Sequence, residues 1–205
     1  KKGDKVIDLG TGTGIIPILL AGKTQASKIV GVEIQPEIAE MAIRSVKLNN
    51  LEDKIEIITG DIKDSAGYFG SSRFNVVVTN PPYISKGSGM VNPSDSKALA
   101  RHEILCTLED VIKAGSTLLV PGGQFAMVHR PERLVDIFYL MRNYKIEPKY
   151  IRFVHPSPHK KANLLLVKGA KYGKPELKMM EPLYVYDEEG NYSSEINQIY
   201  CRGNK

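Results

Sequence analysis

Short apolar runs alternate along this chain with segments of helical periodicity, and this alternation constrains the fold more than any other feature. Runs rich in β-branched residues predict strands at 5–10, 28–33, 54–61, 74–80 and 123–129. Apolar residues at helical spacing predict helices at 36–48, 98–113 and 131–142. The runs lack strict alternation, which is typical of strands buried on both faces. Repeated strand–helix units therefore predict an α/β fold with a doubly wound, mostly parallel sheet.

The pattern changes after Tyr144. Two further apolar runs, 145–156 and 162–169, follow each other with no helical segment between them. They predict an antiparallel closing pair that brings the sheet to seven strands, joined by a loop at 155–161. We expect residues 1–173 to form one domain and the polar segment 174–205 to be an extended or partly ordered tail.

The composition indicates the cellular compartment of the protein and the kinds of partner to expect. No apolar run approaches the roughly 20 residues of a membrane span, and the N-terminus KKGDKVIDLG has no signal-peptide core. Cys106 and Cys201 are far apart and match no metal or redox spacing. The sequence therefore predicts a cytoplasmic protein with no membrane and no metal among its partners.

Three polar signals fall at the predicted ends of consecutive strands, where such sheets bind ligands. The loop DLGTGTG at 8–14 permits a tight turn and close backbone approach. Glu33 ends the next strand and can accept both hydroxyls of a ribose, and Asp61 ends the third and can accept an adenine amino group. One glycine loop could simply pack a helix on a strand, but the three signals together predict an adenosyl cofactor. The predicted cofactor-binding residues are Asp8, Gly10, Thr11, Gly12, Gly14, Glu33, Ile34, Asp61 and Ile62.

The spacing of the loop distinguishes between cofactors. Dinucleotide sites read G-x-G-x-x-G and hold a pyrophosphate at a helix N-terminus, whereas this loop reads G-x-G-x-G and begins with Asp8. An acidic side chain there would repel a pyrophosphate but could hold an ammonium, directly or through water. S-adenosyl-L-methionine carries an ammonium and no phosphate, so it is the predicted cofactor.

The fourth predicted strand ends in Asn80-Pro81-Pro82-Tyr83. A planar amine is a poor nucleophile because its lone pair is delocalised, so methyl transfer requires acceptors that hold its hydrogens and aim the lone pair. The Asn80 side-chain oxygen and the Pro81 carbonyl could supply two such acceptors on a rigid elbow. Tyr83 could stack on a flat substrate. These four residues are the predicted catalytic set, and a plain proline-terminated strand is the structural alternative.

Positive charge is concentrated in the C-terminal third. Residues 145–174 contain eight Lys and Arg against the single acidic residue Glu147. Such an excess can attract a polyanion, but it can equally be a solvated face that keeps the protein soluble. Charge alone leaves both interpretations open.

Taken together, these motifs resemble those of the class I S-adenosylmethionine-dependent methyltransferases with a Rossmann-like fold. From about residue 3 to 173 the chain is most similar to the tRNA1(Val) adenine-N6 methyltransferase family. The resemblance is carried by DLGTGTGIIPILLA, NPPYISKGSG, ARHE, HRPERL and PHKKANLLLVKG. It implies methylation of adenine N6 in the anticodon loop of a tRNA, on the purine just 3′ of the anticodon. Members of that family carry an N-terminal helical segment over the methionine end of the cofactor, and we expect that segment to be missing here.

An anticodon-loop substrate needs little energy to extrude its base, and phosphate contacts would position it. Lys160 and Lys161 are the first candidates for those contacts, followed by Arg130 and Arg133. The segment 84–97 is long enough for a substrate lid, although a plain connector is equally compatible with its composition. The segment 101–103, Arg-His-Glu, is expected to be an exposed helix end.

Other functions remain open from the residues alone. The same elbow serves glutamine methylation on release factors, whose enzymes usually carry a separate helical domain, and guanine-N2 methylation on ribosomal RNA. A non-catalytic RNA-binding protein could also retain this fold. Intact Asp8, Glu33, Asp61 and Asn80 favour an enzyme, because a pure binder has no need of all four.

Overall fold

A single mixed sheet organises the protein. The structure is a computed structural model that describes residues 1–81 and 106–201. Seven main strands form the sheet: β1 (Lys5–Leu9), β2 (Lys28–Glu33), β3 (Ile55–Thr59), β4 (Phe74–Thr79), β5 (Leu119–His129), β6 (Ile146–His155) and β7 (Leu164–Lys171). Their order is β3-β2-β1-β4-β5-β7-β6, and β7 is antiparallel to both of its neighbours while the remaining pairs are parallel. The predicted fold class is therefore confirmed.

Helices cover both faces of this sheet. They are α1 (Ile15–Lys23), α2 (Pro36–Leu48), α3 (Ser65–Phe69), α4 (Leu108–Leu118), α5 (Leu134–Asn143) and α6 (Ser194–Ile199). One apolar cluster joins α1 and α2 to the sheet through Ala21, Ile29 and Val46. A larger cluster on the opposite face includes Ile112 and Phe125. Strands buried between two helical layers explain why the sequence shows continuous apolar runs rather than alternation.

The helix predicted at 98–113 begins and ends later than its periodicity indicated. Thr107 caps α4 in a reciprocal capping box with Asp110, and the helix then continues to Leu118. Residues 98–105 lie outside the described residues. The predicted helix stopped short of Gly115, which lies within α4, and a Cβ atom at that position would lie only 2.5 Å from the Phe125 ring. The glycine therefore permits close packing, and β5 begins at Leu119 rather than at residue 123.

The described part of the tail extends the sheet beyond β6. Two short parallel strands, β8 (Lys178–Met179) and β9 (Leu183–Tyr184), pair with β6. Helix α6 is held by two hydrogen bonds of 2.6 and 2.7 Å from the Arg152 guanidinium to the Glu195 carboxylate. Across the two described stretches of chain, no helix has the length and apolar character needed to span a membrane.

Candidate cofactor and catalytic site

The candidate site lies where the strand order reverses, between β1 and β4. Successive strands extend the sheet to one side of β1 and then to the other, which leaves a crevice at their carboxyl ends. Leu9 and Thr79 are partners in the sheet register, and the buried Thr79 hydroxyl donates a 2.8 Å hydrogen bond to the Leu9 carbonyl. This bond fixes the start of the glycine loop beside the start of the Asn80 elbow.

A cavity of about 360 Å³ occupies this crevice. Its volume falls within the ~300–1,000 Å³ range of small-molecule and cofactor sites. The cavity is lined by Leu9, Gly10, Gly12, Glu33, Ile34, Gln35, Ile38, Asp61, Ile62, Asn80, Pro81, Cys106 and Val111. The structure thus brings six of the predicted cofactor residues together with the first two residues of the elbow.

Asp8, Thr11 and Gly14 lie behind this lining and shape it. The Thr11 hydroxyl donates a 2.7 Å hydrogen bond to Asp8 Oδ2, and both side chains are buried. The Gly31 Cα leaves room for Thr11, because a Cβ there would lie 2.9 Å from the Thr11 side chain. Gly14 has a φ of +83° and closely approaches Ala42 on α2, so a side chain at this position would be strained and crowded.

The second oxygen of Asp8 is buried and has no hydrogen-bond partner among the described residues. Burial raises the pKa of Asp8 from 3.8 to about 7, an effect that the Thr11 hydrogen bond reduces and the nearby Glu33 charge increases. Near neutral pH the protonated and ionised forms of this carboxyl group are therefore both populated. An enclosed acceptor oxygen without a donor is suited to an added cationic group.

Glu33 is buried, and backbone groups fix its orientation. Its Oε2 accepts a 2.9 Å hydrogen bond from the Gly12 N–H, and its Oε1 accepts a 3.0 Å bond from the Gln35 N–H. Each carboxylate oxygen can accept more than one hydrogen bond, so both retain capacity toward the cavity. Glu33 consequently links the glycine loop to the start of α2 while presenting its carboxylate to a ligand.

Asp61 lines the cavity at the end of β3 but is also engaged locally. Its Oδ1 accepts a 2.9 Å hydrogen bond from the Lys63 N–H and caps a turn of 3₁₀ helix, while Oδ2 lies 3.2 Å from Lys63 Nζ. The hydrogen bond to Asp61 raises the pKa of Lys63. The exposed lysine can swing away, which would free the carboxylate for a base amino group.

The elbow is described at its first two residues. Asn80 is exposed and Pro81 is buried, and both line the cavity. Pro82 and Tyr83 lie outside the described residues, as do the segments 84–97 and 101–103. Asn80 and Pro81 therefore line the same cavity as the glycine loop.

The predicted RNA-contacting residues lie at the same edge of the sheet. The Arg130 guanidinium follows β5 and donates a 2.9 Å hydrogen bond to the Asn163 carbonyl, which ties it to the loop after β6. Lys160 and Lys161 in that loop are exposed, whereas Arg133 forms a 2.7 Å ion pair with Asp136. The assignment of these four residues to RNA binding stays a prediction.

The rest of the basic segment is dispersed. Lys171 is buried at the opposite edge and donates a 2.8 Å hydrogen bond to the Leu119 carbonyl, and Arg152 is paired with Glu195. Lys149 Nζ donates to the Lys174 carbonyl. The counted excess of positive charge is thus not one continuous surface.

Sequence reasoning missed five lining residues: Leu9, Gln35, Ile38, Cys106 and Val111. Gln35 and Ile38 come directly after Glu33, so proximity to a strand end was an available signal. Cys106 and Val111 carry no such signal, because their position depends on how the chain returns from the elbow to α4. In the described parts of the chain, no cluster of His, Cys, Asp and Glu has the arrangement of a metal site.

Comparison with known proteins agrees with this geometry. A family model described as the TRM5/TYW2 methyltransferase domain matches residues 1–112. The chain is 33% identical to the tRNA1(Val) (adenine(37)-N6)-methyltransferase of Porphyromonas gingivalis W83, over 94% of this chain and 76% of that protein. It is 27% identical to the protein of the same name from Aeromonas salmonicida, over 95% of this chain and 80% of that one.

Solved structures resemble the fold as a whole. A predicted O-methyltransferase from Agrobacterium tumefaciens superposes with a TM-score of 0.77 at 22% identity, covering 98% of this chain and 91% of the other. A putative RNA methyltransferase from Pyrococcus horikoshii gives a TM-score of 0.58 at 17% identity, covering 83% and 75%. These likenesses establish the shared architecture, and the sequence relatives establish the family. The chain belongs to the tRNA1(Val) (adenine(37)-N6)-methyltransferase family.

Proposed function

We propose that this protein transfers a methyl group from S-adenosyl-L-methionine to N6 of an adenine in the anticodon loop of a tRNA. The proposed tRNA is tRNA1(Val), which the names of the relatives specify. The observation that carries this proposal is the shared cavity: Asn80 and Pro81 line the same space as Gly10, Glu33 and Asp61. A donor site and an amine-holding elbow in one cavity are what transfer between two bound molecules requires.

The lining fits the proposed cofactor. Glu33 would accept the ribose hydroxyls, Asp61 the adenine amino group, and Ile34 and Ile62 would enclose the base. The unpartnered Oδ1 of Asp8 would accept the ammonium of the methionine end. Because that oxygen is enclosed, the ammonium reaches it through a water molecule or after a small shift of the glycine loop. When bound, the cofactor supplies an electrophilic methyl group on a sulfonium.

The elbow activates the amine by position rather than by strong base. Acceptance of the two amino hydrogens by the Asn80 side-chain oxygen and the Pro81 carbonyl draws the nitrogen out of conjugation and aims its lone pair into the cavity. The nitrogen loses its proton readily once it has been methylated, so water suffices to accept it. Burial of Pro81 fixes the backbone carbonyl, and the Thr79–Leu9 hydrogen bond holds the elbow against the cofactor loop.

The substrate approaches from the carboxyl edge of the sheet. Arg130, Lys160 and Lys161 would contact phosphates there, which positions the RNA without reading its sequence. Residues 1–173 constitute the methyltransferase domain and 174–205 its C-terminal tail. A tRNA substrate implies work in the cytoplasm, with neither a metal nor a membrane required.

Incubation with radiolabelled cofactor and separate pools of tRNA, ribosomal RNA and protein tests the proposal. We expect label in the tRNA pool, recovered as N6-methyladenosine on nucleoside analysis. A tRNA1(Val) transcript with guanine in place of adenine 37 is the matched control and should remain unlabelled. Label in methylglutamine, in N2-methylguanosine or in none of the pools would refute the proposal and favour the corresponding alternative.

A further inference from the structure

The tail forms a short hairpin beside the substrate edge that the proposed function does not use. After β9 the chain passes the end of β6, and the Tyr186 N–H donates a 2.9 Å hydrogen bond to the Pro156 carbonyl. Tyr186 and Tyr192 then form an antiparallel bridge, and the Asp187 N–H donates to the Asn191 carbonyl at 2.9 Å. We refer to residues 185–193 as the tyrosine hairpin. Its backbone bonds fix it to the end of β6.

The hairpin presents two aromatic rings. The Tyr186 and Tyr192 rings stack with centroids 5.1 Å apart and an angle of 20° between their planes. Their exposed fractions are 39% and 42%, so a substantial part of each ring remains open to solvent. Large exposed aromatic rings on a rigid backbone are suited to stacking against unpaired bases.

A cavity of about 350 Å³ separates the hairpin from the loop after β6. It is lined by Pro156, Ser157, Lys160, Tyr186, Asp187, Glu188 and Gly190. Residues that carry an aromatic ring, an ammonium and two carboxylates thus line one open space. The ammonium suits a phosphate, the ring suits a base, and the carboxylates accept hydrogen bonds from base amino groups but repel phosphates. This combination of groups is chemically suited to the parts of one nucleotide.

The cavity lies on the same edge as the elbow. Both β6 and β9 run parallel to β4 and β5, so their carboxyl ends point to the same side. Strands β4 and β6 are three positions apart, which at ~4.8 Å per strand corresponds to about 14 Å between Asn80 and the end of β6. A strand of stacked nucleotides rises ~3.4 Å per nucleotide, so a few nucleotides would cover that distance.

We propose that this cavity binds an unpaired nucleotide of the substrate RNA, a few positions from the methylated adenine. The base stacks on Tyr186, its phosphate contacts Lys160, and its amino group faces Asp187 or Glu188. The inference rests on the proposed function, since it assumes that the substrate is a single-stranded RNA loop. It assigns substrate recognition to the C-terminal tail.

Steady-state kinetics on the tRNA1(Val) transcript test this site. Tyr186→Ala should raise KM for the transcript about fivefold or more while kcat and cofactor affinity stay within about twofold of wild type, since base stacking is lost but the reacting groups are intact. Tyr186→Phe should retain the wild-type KM. Tyr172→Ala, which removes an exposed ring at the opposite edge, is the matched control. A wild-type KM in Tyr186→Ala, from an enzyme that methylates the transcript, overturns the nucleotide site and leaves the proposed function standing.

A fluorescence titration tests the nucleotide site without catalytic turnover. The sequence contains no tryptophan, so Tyr186→Trp places a single reporter in the cavity and Tyr172→Trp places one at the far edge. We expect the transcript to quench the first and leave the second unchanged, with saturation near the KM. Equal behaviour of the two reporters would overturn the inference, whether or not the alanine variant folds. Saturable quenching by the tRNA1(Val) transcript without its methylation would instead support a nucleotide site and refute the proposed function.

Discussion

At pH 8, Asp8→Asn should make the protein more stable at the same time as it weakens cofactor binding. Asp8 is buried, one of its oxygens has no partner among the described residues, and its pKa is raised to about 7. The folded chain therefore retains a proton on Asp8 up to about pH 7, whereas the unfolded chain releases it near 3.8. Protonation of Asp8 contributes to the free energy of unfolding. This contribution is present in full below pH 3.8 and is lost as the pH rises through 7.

The size of this change in stability follows from the interval between the pKa values of Asp8 in the unfolded and folded chain. One pKa unit corresponds to ~1.36 kcal/mol, so the interval from 3.8 to about 7 amounts to roughly 4 kcal/mol of lost stability at pH 8. At pH 5 the loss is only about 2 kcal/mol, because the pH exceeds 3.8 by little more than one unit. An amide has no charge to bury, although its unpaired N–H or carbonyl costs about 1–3 kcal/mol at either pH.

Urea denaturation at pH 5 and pH 8 measures this prediction. The stability difference between Asp8→Asn and wild type should favour the variant by about 2 kcal/mol more at pH 8 than at pH 5. Asp53→Asn, which changes an exposed acid, should show no such pH dependence. Calorimetry should show weaker cofactor binding in Asp8→Asn, and in wild type alone the affinity should increase as pH rises through 7. A stability difference independent of pH would refute the reasoning.

Two further variants test the cavity and its edge. Glu33→Gln should weaken cofactor binding by roughly 10- to 100-fold, because a charged acceptor of the ribose hydroxyls is lost; calorimetry measures this, and exposed Glu56→Gln should leave affinity unchanged. The double variant Lys160→Glu and Lys161→Glu should weaken tRNA binding and flatten its dependence on salt, since fewer counterions are released. Filter binding across a salt series checks this. The double variant Lys145→Glu and Lys149→Glu, away from the edge, changes the net charge by the same amount and should alter both properties less; equal effects would assign the result to net charge alone.

The fold was predictable because its signals are local. Buried parallel strands produce continuous apolar runs, and the helices between them retain their own period, so the order of elements can be read from the chain. The predicted end of the helix at residue 113 was wrong, because α4 continues to Leu118 and contains Gly115. Its actual role is contact with Phe125, a residue of the next strand, and such tertiary packing has no local signature.

The site was predictable to the extent that its residues lie at strand ends. Gly10, Glu33 and Asp61 each follow an apolar run, and parallel topology brings such ends together. Cys106 and Val111 reach the cavity only through the path of the chain after the elbow. The raised pKa of Asp8 was also beyond sequence reasoning, since it reflects how completely the folded protein encloses that carboxylate.

The C-terminal tail contains strands and side-chain contacts that sequence patterns do not predict. Strands β8 and β9 contain two residues each, which is too short for any periodicity to appear. They form because β6 offers an unpaired edge, and the Arg152–Glu195 pair then holds the following helix. The pairing of Tyr186 with Tyr192 depends on that arrangement and could not be inferred beforehand.

The central claim is that the Asn80 side-chain oxygen holds and activates the amine, and one comparison tests it most directly. Single-turnover methylation of the tRNA1(Val) transcript and calorimetric cofactor binding should be measured for Asn80→Ala beside wild type, with Asn49→Ala at the exposed C-terminal cap of α2 as the control. We predict a methylation rate reduced by about 100-fold or more with cofactor affinity nearly unchanged. An Asn80→Ala protein that methylates adenine at the wild-type rate would contradict the account.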